Sequence, residues 1–117
     1  MAFKFEKLKV WESAVELSGR ASELTDTFPK KEMFVLSSQI QRANDSIALN
    51  IAEGSTGQTN PEYKRFLGMA LRSAIEVVCC IYVAKRRKLI EEEQFNSFYE
   101  YLTTLIKGIQ ALRNSIR

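Results

Sequence analysis

One apolar repeat near the C-terminus leaves this chain little freedom of secondary structure. Phe95, Phe98, Leu102, Leu105, Ile109, Leu112 and Ile116 follow one another at alternating steps of three and four. That spacing places all seven on a single stripe of an α-helix, and no strand period reproduces it. A similar rhythm runs from Val10 through Ala14, Leu17, Ala21 and Leu24 to Phe28, with Leu8, Trp11 and Val15 widening the stripe. It predicts a helix over about 6–27 that stops at Pro29, which lacks an amide donor and disfavours the α region for Phe28. Gly19 inside this helix reads as the mark of a close helix contact.

Between these two segments lie two more helices. Ile40, Ala43, Ile47 and Ile51 predict one over 31–53, with Glu32 near its positive end and Gly54 as a C′ residue able to take positive φ. A polar loop, 55–60, follows. Asn60 as N-cap, Pro61 at the first helical position and Glu62 in the first turn then start a helix over 61–88. Its apolar positions are Phe66, Leu67, Ala70, Ala74, Val77, Val78, Ile81 and Ala84. The last helix spans 91–115, with Glu91, Glu92 and Glu93 at its positive end. Four helices with connections mostly too short for parallel neighbours predict an all-α, up-down-up-down antiparallel four-helix bundle, a single domain over residues 1–117.

Composition then narrows the chemistry. The 117 residues include no histidine, which removes the commonest general base and the commonest transition-metal ligand. The two cysteines, Cys79 and Cys80, are adjacent in an apolar segment and read as buried thiols. No apolar run approaches the roughly 20 residues needed to cross a bilayer, and 1–6 has no signal-peptide core, so a cytoplasmic protein with no membrane contact is expected. Glu53 and Glu76 are an imaginable acid/base pair, but no nucleophile, phosphate-binding loop or metal-ligand cluster accompanies them. The expectation is a protein that is not an enzyme and needs no metal or cofactor.

Two sets of residues stand out as candidate sites. Gln39, Arg42, Ser46, Asn50 and Glu53 form an orderly polar stripe beside the apolar one on the second helix. Ser and Asn are mediocre helix formers, so their regular placement suggests that short polar side chains are wanted there. A hydrogen-bond network within or between subunits, a ligand surface and a solvated face are the three readings. Glu76, a lone acid in the window 74–84, is expensive to bury unpaired, and Arg42 is its economical partner. The second set is basic. Residues 61–117 hold ten Lys/Arg against six Asp/Glu, whereas 1–60 hold seven against eight. Lys85, Arg86, Arg87 and Lys88, with Lys64, Arg65 and Arg72 on the same helix, are the candidate phosphate contacts. The run equally complements a helix dipole, and no aromatic is interleaved with it for base stacking.

Several stretches together resemble one known family. They are Phe5–Trp11 (FEKLKVW), Phe28-Pro29 with Glu32 and Leu36, QIQRA at 39–43, Ser46-Ile47, NIAEG at 50–54, YKRFLGMA at 63–70, and Glu76. The chain is similar to the four-helix-bundle proteins encoded in intervening sequences of 23S ribosomal RNA genes, densely through Glu76 and more weakly in the last helix. It departs from their usual pattern at Val35, where glycine is common, and at Arg72-Ser73, where Gly-Ser is common. The resemblance implies a homopentamer. It also implies kinship with the accessory protein of diversity-generating retroelements, which binds nucleic acid and a reverse transcriptase through a basic surface. The combined expectation is a non-enzymatic, oligomeric protein that binds nucleic acid, most naturally RNA. A scaffold contacting only other proteins is the alternative.

Overall fold

The computed structural model describes residues 2–57 and 59–117, and among them every regular element is helical. Helices α1 (Lys9–Thr25), α2 (Leu36–Gly54), α3 (Asn60–Arg86) and α4 (Glu92–Ser115) are preceded or joined by short 3₁₀ turns at Lys4–Lys7 and Lys30–Glu32. Each helix packs on its sequence neighbours, and α1 meets α4 to close the ring. Side-chain pairings give the directions. Between α2 and α3, Ser46 lies against Ser73, and Gly54, further along α2, lies against Phe66, earlier on α3. Between α3 and α4, Lys64 pairs with Arg113 and Lys85 with Glu92. Between α1 and α4, Val10 meets Gly108 and Ser13 meets Tyr101. Residue numbers rise on one helix as they fall on the other in all three pairs, so the helices are antiparallel around the ring. The bundle measures 43 × 22 × 21 Å.

The apolar stripes fill its centre. Leu17, Ile40, Ile47, Ile51, Leu67, Val77, Ile81, Leu102 and Ile109 are wholly buried, and each such side chain stabilises by roughly 1.5 to 3 kcal/mol relative to exposure. Phe98, Leu112 and Ile116 of the C-terminal repeat are half-buried, lining its rim. Helix α3 is long and apolar enough to cross a membrane by length and composition. Here it is a bundle helix, packed on α2 and α4 with Arg72 and Glu76 exposed.

The helix boundaries differ from the expected ones for local reasons. Helix α2 starts at Leu36 rather than 31, because Val35 (φ −119, ψ −98) lies outside helical geometry. Glu32 therefore does not sit in its first turn. Instead the carboxylate is buried, 3.2 Å from the guanidinium of Arg87 beyond the end of α3. The N-cap of α3 is Thr59, not Asn60: its hydroxyl accepts from the amide of Glu62 at 3.2 Å. Helix α3 stops at Arg86, with Lys88 left-handed at φ 61. The amides of Leu89 and Lys88 donate to the carbonyls of Ala84 and Lys85, the two bonds of a Schellman ending. Such endings favour glycine, so lysine at Lys88 costs about 1 kcal/mol.

Two glycines also have roles other than those expected. Gly19 is exposed with nothing within 4 Å of a Cβ, so it marks no helix contact. Gly54 is the last residue of α2 and needs no positive φ; the loop glycine with that conformation is Gly57, at φ 88. What Gly54 supplies is space. A Cβ there would stand 2.7 Å from the Cβ of Phe66 and 3.1 Å from the ring of Tyr63. Phe66 cannot move its Cβ without moving α3. Gly54→Ala is accordingly expected to destabilise the fold by about 1 to 3 kcal/mol despite alanine's better helix propensity. Thermal or denaturant unfolding measures it, and an unchanged midpoint would show that the α2–α3 approach is compliant.

A candidate interaction face on the second and third helices

The polar stripe of α2 lies on the surface of the bundle. Gln39, Arg42 and Glu53 are exposed, while Ser46 and Asn50 are half-buried. Asn50 Nδ2 donates to the Ser46 carbonyl at 2.9 Å, and Ser73 Oγ of α3 donates to Ser46 Oγ at 2.9 Å. Among the described residues, only Ser46 and Asn50 of the stripe are thus tied into a network, and that network reaches Ser73. Glu76 does not pair with Arg42. Both are exposed, and the ion pairs among the described residues are Glu16–Arg20, Glu62–Arg65, Glu92–Lys85 and Glu32–Arg87. The window around Glu76 looked apolar in sequence, but its outward positions, Ile75, Glu76, Cys79 and Tyr82, form the solvent side of α3. An exposed carboxylate needs no partner.

A second polar cluster joins α2 to α1. Asp45 accepts from Ser18 Oγ and from Gln41 Nε2, the latter at 3.0 Å. Gln41 and Asp45, one turn apart on the flank of α2 facing α1, were the available signal. Asn44 beside them is wholly buried. Its Nδ2 donates to the Ile40 carbonyl, and its Oδ1 has no partner among the described residues.

The seven basic candidates are not one patch. Arg65 and Arg86 lie about 31 Å apart at 1.5 Å per residue. At the far end, Lys85 turns to α4, where its ammonium bonds Glu92 at 2.9 Å and lies 4.4 Å from the Phe95 ring centroid. Arg87 turns the other way, to Glu32. Lys64 is half-buried, and Arg65 bonds Glu62 at 2.6 Å. That bond holds the Glu62 carboxyl below its usual range and raises the Arg65 guanidinium; both groups reach solvent, which screens the pair. Arg65, Arg72 and Arg86 nevertheless share one exposed row, because their spacing is a multiple of seven and α3 presents every seventh residue on nearly the same side.

Cys79 lies in that row and is exposed, so only Cys80 is the buried thiol expected of both. Burial, with smaller contributions from Glu76 and Cys79, pushes the Cys80 thiol up to about 11. At pH 8 a thiol reagent is expected to titrate one cysteine per native chain quickly and the second only in denaturant. Two equally fast thiols would show that α3 opens locally.

The fold and these surfaces can be set beside known proteins. The model of the 23S rRNA-intervening sequence protein family matches residues 6–111. A crystal structure at 1.70 Å resolution, of a protein of unknown function from the S23 ribosomal protein family of Bacteroides thetaiotaomicron, is similar to this chain. The two are 26% identical with a TM-score of 0.83, over 90% of this chain and 95% of the other. No curated protein matches the sequence. With its family match spanning four helices that superpose on a solved S23 protein, the chain belongs to the 23S rRNA-intervening sequence protein family.

Proposed function

We propose that this protein is a non-enzymatic, cytoplasmic homo-oligomer, five-membered as the family resemblance implies, that holds RNA or another nucleic acid by its phosphates. The observation that carries the reading is the exposed row of Arg65, Arg72 and Arg86 along α3. With steps of two and four turns, the row runs the length of the helix and can follow a polyanion rather than a single phosphate. One chain offers only a modest field, since its net charge is +3. Copies set side by side sum these rows into a surface able to retain a backbone.

Assembly is supported by the α2 face. Leu49 is 60% exposed in a shallow depression also lined by Arg42, Ser46, Asn50 and Glu53. An apolar side chain set in uncharged and oppositely charged polar groups is the usual composition of a protein interface. The same feature favours the second reading, a scaffold whose partner is a different protein and whose basic row serves solubility alone.

Filter binding to a 23S rRNA fragment is expected to show affinity at low salt that falls several-fold between about 50 and 200 mM, as counterion release requires. No binding at low salt, or binding indifferent to salt, overturns the nucleic-acid reading. Recovery of a protein partner that survives nuclease would favour the scaffold. Light scattering at micromolar concentration is expected to show a species several times 13.4 kDa, and a lone monomer peak excludes assembly.

A further inference from the structure

Folding places aromatic rings on both sides of the basic end of α3, although the run itself contains none. On the α4 side, Tyr82 and Tyr99 are 52% and 41% exposed, with ring centroids 6.4 Å apart. Phe95 fixes both from beneath, 4.8 Å from Tyr82 and 5.8 Å from Tyr99. On the α2 side, the Glu32–Arg87 bond draws the connection before α2 against the end of α3, and Val35 lines one depression with Arg87. Phe34 in this connection is 89% exposed.

Arg86 and Lys88 belong to the same end of α3. The backbone phases of α3 set Arg86 one turn beyond Tyr82, and Lys88 follows at the helix end. Both are exposed and free of ion pairs among the described residues, whereas Lys85 and Arg87 are taken up by Glu92 and Glu32. Of the other acids near this end, Glu23 and Glu93 line a depression between α1 and α4, whereas Glu76 shares the depression of Val35 and Arg87.

Resting on the nucleic-acid reading above, we infer that the C-terminal end of α3 is a subsite for single-stranded nucleic acid. Unpaired bases stack on Tyr82 or Tyr99 and on Phe34, and the connecting phosphates lie on Arg86 and Lys88. A duplex hides its base faces and offers only its backbone, so exposed rings gain nothing from it. Unpaired bases present the flat π-surfaces that rings accept without regard to sequence. Lys88 keeps its cation at a left-handed position that glycine would fill with less strain.

The test is fluorescence anisotropy of the full chain with a labelled oligouridine and with an RNA duplex of equal length. The single strand is expected to bind more tightly. Phe34→Ser, and Tyr82→Leu with Tyr99→Leu, are each expected to weaken strand binding at least about fivefold, leaving duplex binding and the strand's salt slope unchanged. Phe34 is 89% exposed, so its variant tests the ring apart from folding. Lys88→Gly relieves the left-handed strain and is expected to weaken both ligands and flatten the salt slope by just under 1. Equal affinity for strand and duplex, or aromatic variants without effect, overturns the subsite and leaves the phosphate reading standing. No binding of either RNA overturns both. Binding to phosphatidylserine vesicles with none to the strand would replace the subsite with a membrane contact.

Discussion

The close approach of α2 and α3 is the constraint on which the rest of the bundle depends. At Gly54 the helices come so near that a single methyl group would meet the Cβ of Phe66 at 2.7 Å. Midway along, Ser46 and Ser73 pack hydroxyl to hydroxyl, and at the far end Glu32 holds Arg87. These contacts run from the connection before α2 to its last residue, so they set register as well as distance. Interiors at crystal-like density transmit such a setting, because a side chain displaced on one helix has no free volume to move into on the next.

Register in turn decides what reaches solvent. With α2 locked against one flank of α3 and α4 against the other, the outward strip of α3 carries Arg65, Arg72, Glu76, Cys79 and Arg86. Lys85 and Arg87 turn to opposite flanks because consecutive residues on a helix point about 100° apart. Four cations in a row therefore never act as one charge. The same rotation brings Tyr82 beside Arg86 and lets α4 add Tyr99.

Much of this architecture was legible. The stripes ending in Phe28, Ile51, Ala84 and Ile116 named the four helices, since a period near 3.6 that buries one side needs no knowledge of the partner. Boundaries were less legible. The start of α2 moved from 31 to Leu36 because Val35 leaves helical geometry, and Glu32 pairs instead with Arg87, 55 residues away. The candidate sites were legible as residue types and not as groupings. Arg42 and Glu76 looked like a pair because a buried Glu76 would need a partner, yet both are exposed. The cluster of Asp45 with Ser18 and Gln41 went unseen because each member is ordinary on its own helix.

What the sequence determined by itself was the number of helices, their buried faces and the supply of charge, for these follow from local periodicity and composition. Only the tertiary structure decided that Gly54 is a spacer and not a cap, that Cys79 is exposed while Cys80 is buried, and that Tyr82 and Tyr99 meet as exposed rings near the basic end of α3. The physical reason is the same in each case. A residue's own helix fixes the direction in which its side chain leaves the axis, but what waits in that direction depends on packing between segments distant in the chain.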